Sequence, residues 1–158
     1  MTEATSTSQL SRDQKRALSI VLDAIIPPAE NGRLPGAGEL GLVDYIALTL
    51  QRSPELAPAV AGGLSLLDDL AAARGSHGFA ALGDTDRAAV LSESVTGEPA
   101  FLPSLIFHSY VAYYQNDRVI EALGLEPRPP FPKGYEIEPN DLSLLDEVRE
   151  RSRLYRDA

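Results

Sequence analysis

The chain has 158 residues, the length of about one domain, and carries 14 Lys plus Arg against 23 Asp plus Glu, a formal net charge of −9. That balance argues against nucleic acid and against an anionic membrane surface as partners, because both are bound through Lys and Arg. Cysteine is absent and hydrophobic residues make up 44%, which removes disulfides, zinc–thiolate and iron–sulfur sites and cysteine nucleophiles, excludes wholesale disorder, and leaves a chain able to fold on its core alone.

Residues 1–9, MTEATSTSQ, are polar, contain no Lys or Arg and open no signal sequence; no twin-arginine pair is present. Apolar stretches are broken by charge or proline before about 18 residues, so no transmembrane helix and no direct membrane insertion is expected. As written, the chain is expected in the cytoplasm. Export in the folded state, carried by a partner that holds the signal, is the other location left open.

The first predicted helix is SRDQKRALSIVLDAII. Ser11 with Gln14 three residues on forms a capping-box pattern, and Leu18, Val21, Leu22 and Ile25 make one apolar stripe. Pro27 and Pro28 end it. AENGRLPGAGELG follows as a loop of turn residues. Gly36, Gly38 and Gly41 spell G-x-G-x-x-G in letters only, because Arg33-Leu34-Pro35 cannot be the core strand that a dinucleotide fingerprint requires.

A second helix is predicted from Leu42 to Gln51, with Val43, Ile46, Ala47 and Leu50 inward. The third runs from Glu55 to Arg74, with Leu56, Val60, Leu64, Leu67 and Leu70 on one face. Gly62 and Gly63 interrupt it at a cost of roughly 1 kcal/mol each against alanine, explained either by close approach of a neighbouring helix or by a kink. Gly75 suits the position just past its end. SHGFAALG should be a connection with Phe79 and Leu82 buried. Asp84 is the predicted cap of a short helix carrying Ala88, Ala89 and Leu91, and Thr96-Gly97-Glu98-Pro99 should break the chain.

A fifth helix spans Ala100 to Tyr114, with Phe101, Leu105, His108 and Ala112 on one stripe and Leu102, Ile106, Tyr110 and Tyr113 on the next. Asp117-Arg118 opens one more short helix, ended by Gly124. EPRPPFPKGYEIEP then places five prolines in fourteen residues, which forbids helix and sheet interior and predicts an extended surface segment. Asn140 should cap a final amphipathic helix reaching the chain end, its narrow apolar edge formed by Leu142, Leu145, Val148 and Ser152. The expected fold is therefore all-α: a single-domain irregular bundle of about six or seven helices (residues 10–125) after a flexible start (1–9), with a Pro-rich arm and C-terminal helix (126–158).

Chemistry is sparse. His77 sits in a loop beside Gly78. His108 lies half-buried among aromatics, with contact to a bound partner or cofactor as the sharper alternative. HExxH, ExxH and G-x-S-x-G are absent. Asp68 and Asp69 are adjacent, so they diverge around a helix and form no acid/base pair. No catalytic, cofactor-binding or metal-binding residue is assigned. What stands out is the aromatic run of the fifth helix: core packing is one account, and a protein interface joined by the Pro-rich arm is the other. The candidate interface residues are Phe107, Tyr110, Tyr113 and Tyr114, with Pro129, Pro130, Phe131 and Tyr135 in the arm.

Taken together, DAIIPPAENGRLPGAGELGLVDYIALTL (Asp23–Leu50), GLSLLDDLA, GFAAL, RAAVL and AYYQNDRVIEALGL resemble, in order and spacing over residues 10–130, the gluconate 2-dehydrogenase subunit 3 family. The resemblance implies a non-catalytic small subunit with no cofactor of its own. It would assist folding, stability or export of a large flavoprotein subunit of the glucose-methanol-choline group, which holds FAD and the catalytic histidine, with a cytochrome c subunit as a frequent third member. Many members begin with a twin-arginine signal and this sequence departs from that. Two readings compete: a free-standing enzyme, which would need convergent titratable groups in a pocket, and a stand-alone helical adaptor or small-ligand carrier, which would need a large apolar cavity.

Overall fold

Ser11 starts the first helix as its residue pattern demands. In the computed structural model, which describes residues 10–129, 131–134 and 136–151, the Ser11 hydroxyl accepts from the Gln14 N–H at 3.1 Å and the Gln14 side chain accepts from the Ser11 N–H at 2.9 Å. Helix α1 (Arg12–Ile25) stops before Pro27, with Leu18, Val21 and Leu22 buried. Helix α2 (Leu42–Arg52) follows the glycine-rich loop. A 3-10 turn (Pro54–Leu56) leads into α3 (Ala57–Ala73), then come a second 3-10 turn (Phe79–Ala81), α4 (Asp84–Gly97), α5 (Phe101–Tyr114) and α6 (Asp117–Ala122). Strands are absent among the described residues, and the all-α expectation holds.

The chain divides into two compact units, Met1–Pro127 and Arg128–Ala158. In the first, α5 packs against α1, α2, α3 and α6, and α3 packs against α4 and α5. Their shared core holds Leu18 and Leu22, Ile46, Leu64 and Leu67, Phe79, Val90, Phe101, Leu105 and Tyr113. Helix α3 runs unbroken through Gly62 and Gly63. At Gly63 an added Cβ would stand no more than 2.5 Å from Cγ, Cδ1 and Cδ2 of Phe101, so the first of the two explanations applies: the ring at the start of α5 lies directly on the α3 backbone. The exit of α3 uses Gly75 at φ +78°, a left-handed conformation suited to glycine.

Several boundaries differ from expectation. Gly83, not Asp84, is the cap residue of α4. That helix also continues through Thr96 to Gly97, and its buried residues are Val90 and Ser94, while Ala88 and Ala89 are exposed. Pro54–Ala73 is long and apolar enough, by length and composition, to cross a membrane, against the expectation that charge and proline break every such stretch. Its apolar side is nonetheless committed to the protein core, with Val60, Leu64, Leu67 and Ala71 buried.

The second unit holds no α-helix or strand among the described residues from 128 to 140. Residues 131–133 form a turn, so the segment is not uniformly extended. Asp141, not Asn140, then caps a 3-10 turn (Leu142–Leu145) that continues into α7 (Asp146–Arg149). Asp141 wins because its carboxylate reaches the Ser143 N–H at 3.0 Å and the Ser143 hydroxyl at 2.6 Å. These hydrogen bonds hold its carboxyl below the usual carboxylate range. Leu142, Leu145 and Val148 are exposed; Ser152 and the rest of the expected helix lie outside the described residues.

Candidate partner-docking face

Helix α5, FLPSLIFHSYVAYY, is apolar nearly all the way round. Such a helix belongs in the middle of a protein. Phe101, Leu105, Ser109, Ala112 and Tyr113 are buried against its neighbours. The opposite side is bare: Ile106 is 42% exposed, Phe107 66%, Tyr110 45% and Tyr114 53%. Ile106, Tyr110 and Tyr114 follow one another at i, i+4, i+8, and Phe107 lies beside them, so the four form a continuous stripe. The rings of Tyr110 and Tyr114 stack with centroids 6.0 Å apart and planes 18° from parallel. Phe107 meets His108 edge-on at 5.1 Å, and His108 is half-buried as expected. The stripe is preorganised aromatic surface, of the composition that protein interfaces favour.

Tyr113 does not belong to that stripe. It is 2% exposed and its hydroxyl donates to the Pro35 carbonyl at 2.8 Å. Burial raises its phenol above the ordinary value, and the neighbouring Tyr114 and Glu39 act in the same direction. The residue therefore ties α5 to the loop before α2 and is part of the core. Of the arm residues, Phe131 is 84% exposed and Pro129 is exposed, both in the second unit; Pro130 and Tyr135 lie outside the described residues. Ile106 completes the face; the sequence places it on one of two neighbouring stripes without saying which faces inward, because a helix apolar on all sides carries no phase in its periodicity.

The motif that carried the resemblance is structural rather than chemical. Pro35, Gly36 and Ala37 are buried, and the loop closes on the end of α1. The Ala37 N–H donates to the Ile26 carbonyl at 3.0 Å and the Gly38 N–H donates to the Asp23 carboxylate at 2.8 Å. An added Cβ at Gly38 would run into the Ser19 backbone carbonyl as well as the Asp23 carboxylate, and the carbonyl, held in α1, cannot give way, so the loop tolerates only glycine there. Asp68 does similar work on α3: its carboxylate accepts the Phe79 N–H at 2.9 Å and seats that buried ring. Neither role is visible from spacing, since each carboxylate serves a backbone group 11 or 15 residues away.

Among the described residues no group of three His, Cys, Asp or Glu is placed to hold a metal ion. Val21, Ala24, Ile25, Leu91, Val95 and Leu102, with Ser92, line an apolar groove of about 210 Å³, smaller than the ~300–1,000 Å³ of typical ligand pockets. No curated protein and no solved structure matches the chain. The family model described as gluconate 2-dehydrogenase subunit 3 matches residues 12–122, from the first turn of α1 to the last residue of α6. The Asp23–Gly38 latch, the Tyr113–Pro35 tie and the helices around them all fall within that match, and the chain belongs to the gluconate 2-dehydrogenase subunit 3 family.

Proposed function

We propose that this protein is a non-catalytic subunit that binds and stabilises the large flavoprotein subunit of a sugar or polyol dehydrogenase complex, through the bare face of α5. The observation that carries the reading is the combination of a closely packed core with an aromatic stripe of Ile106, Phe107, Tyr110 and Tyr114 left in solvent on its central helix. Membership of the gluconate 2-dehydrogenase subunit 3 family supports a place in a dehydrogenase complex. In this reading FAD and the oxidation of substrate belong to the large subunit, and a cytochrome c subunit would take the electrons onward.

Co-expression with a flavoprotein dehydrogenase large subunit from the same genome tests the proposal. Tyrosines at the centre of an interface contribute about 2 kcal/mol or more each when truncated. Tyr110→Ser with Tyr114→Ser should then abolish co-purification and lower the yield of soluble, FAD-loaded large subunit. Retention of the complex by this double variant refutes the assignment of the face. Turnover of a sugar by the isolated chain refutes the non-catalytic role.

A further inference from the structure

The exposed stripe of α5 runs on past Ile106. One turn before Ile106 stands Leu102, half-buried, and Leu102 is also a wall of the apolar groove of about 210 Å³. Val21, Ala24 and Ile25 of α1 and Leu91 and Val95 of α4 make its other walls. Every one of these residues belongs to the first compact unit, so the form of the groove is set within that unit. Stripe and groove make one continuous apolar surface, with Ile106 between the tyrosine pair and the hollow.

Shape restricts what can enter. Val21 is fully buried and lies at the bottom, while Ala24 and Ser92 are exposed and Val95 is 50% exposed, so the mouth is open. An apolar cavity of about 150 Å³ already holds a benzene ring, and this hollow therefore takes one ring or one branched aliphatic group. A free small molecule there would keep its open side in water, whereas ligand pockets bury about 70–90% of what they bind. A side chain carried in on a protein surface has no such open side, because the surface that carries it closes the mouth. Ser92 is the single polar side chain on the wall, too little for the two to four polar partners that an ordered water needs.

Area selects the occupant. A standard interface takes about 800 Å² from each partner, more than four half-exposed residues of α5 can supply. A contact on the stripe has to continue onto neighbouring surface, and at the Leu102 end that surface is the groove. We infer that the groove is an anchor socket of the α5 docking face, and that it receives a single aromatic or branched aliphatic side chain projecting from the dehydrogenase subunit. The inference rests on the accessory-subunit reading and adds to it a second anchor point, with the chemistry of the group it takes. Interfaces concentrate their binding energy where a large side chain fills a fitted pocket.

The test uses the full chain and the separately purified dehydrogenase subunit. Ala24→Trp fills the hollow from its exposed edge and should weaken binding about tenfold or more, with thermal unfolding of the isolated chain unchanged. Val95→Asp, which puts a charge on the opposite wall, should weaken it comparably. Cysteine is absent from the chain, so Ser92→Cys sets a lone thiol at the groove with little change of volume. N-ethylmaleimide should alkylate that thiol several-fold more slowly in the complex than in the isolated chain. Glu55→Cys, exposed and outside both stripe and groove, should react equally in the two. Unchanged binding by Ala24→Trp overturns the inference and leaves the accessory role and the α5 face standing, even if the Ser92→Cys thiol is shielded, since the groove is then covered but not entered. Shielding of that thiol in the isolated chain shows a hollow already filled, by a second copy, by residues of the same chain or by a small ligand, and also overturns it. Failure of the unmodified chain to bind the dehydrogenase overturns the accessory role and this inference together.

Discussion

Adjacent glycines in α3 should respond to the same substitution with opposite signs. Gly→Ala inside a helix gains roughly 1 kcal/mol from propensity alone. At Gly62 the nearest obstacle to a Cβ is the Glu98 carboxylate oxygen at 3.1 Å, the tip of a flexible side chain that can swing aside. Gly62→Ala should therefore be neutral or stabilise by up to about 1 kcal/mol. At Gly63 the obstacle is the Phe101 ring, with three carbons no more than 2.5 Å from the new methyl and no exposure of its own. Its Cγ cannot be moved without changing χ1 or shifting the start of α5. Overpacking of this kind costs about 1–3 kcal/mol, and the upper end applies where the clash is with a ring root. Net of propensity, Gly63→Ala should destabilise by about 2 kcal/mol, or roughly 5–10 °C in Tm for a unit of this size. Urea unfolding followed by far-ultraviolet circular dichroism measures both variants, and unchanged m-values would show that the native state is the one affected. Phe101→Leu in the Gly63→Ala background should recover part of the loss, a coupling that a double-mutant cycle reads directly. Two substitutions that shift stability equally, in the same direction, would refute the packing account and restore a flexible α3.

Three further outcomes follow from the same contacts. Tyr113→Phe leaves the buried Pro35 carbonyl without its donor and should cost about 1–3 kcal/mol. Because the folded-state phenol is raised above its ordinary value of 10.0, the stability it supplies is whole below about pH 10 and is lost as pH climbs past it; the Phe variant should show a flatter alkaline limb in pH-dependent melting. Asp23→Ala frees the Gly38 N–H from a charged acceptor and should cost about 1.5–3 kcal/mol in chemical denaturation. Tyr110→Ser and Tyr114→Ser should each cost the isolated chain no more than about 1.5 kcal/mol, the worth of the ring contacts they lose on this exposed face. A large loss there would mean that the α5 face is already packed within this chain.

The sequence was most readable where local chemistry decides structure. Ser11 and Gln14 specify the start of α1 within four residues, and Pro27 its end, so both boundaries emerge as expected. Legibility fails where two neighbouring residues compete for one role. Gly83 displaced Asp84 and Asp141 displaced Asn140, because the winner depends on which side chain or backbone angle fits the incoming chain. It fails again in α5, where apolar residues on all sides leave the inward direction undetermined. Tyr113 and Tyr114 are chemically alike and adjacent. One is buried and the other exposed because the Pro35 carbonyl, 78 positions earlier in the chain, lies within reach of only one hydroxyl. Spacing cannot contain that information; it resides in how the loop folds onto α1 through Asp23.

The size of the exposed stripe bears on how a partner would be held. Aromatic side chains bury about 150–250 Å² each, so Ile106, Phe107, Tyr110 and Tyr114, each about half exposed, offer roughly 400 Å² for burial. At about 25 cal/mol per Å² that is ~10 kcal/mol before any cost is subtracted. Association itself costs an estimated 4–15 kcal/mol in lost freedom. The face of α5 alone therefore supports only a weak, short-lived complex, below the area of a stable protein interface. A durable subunit contact therefore has to extend from the stripe onto neighbouring surface of the chain, with Tyr110 and Tyr114 at its centre. Their joint truncation should then weaken the complex by more than the sum of rim substitutions, which cost under about 1 kcal/mol each, and equal losses from centre and rim would refute a contact centred on α5.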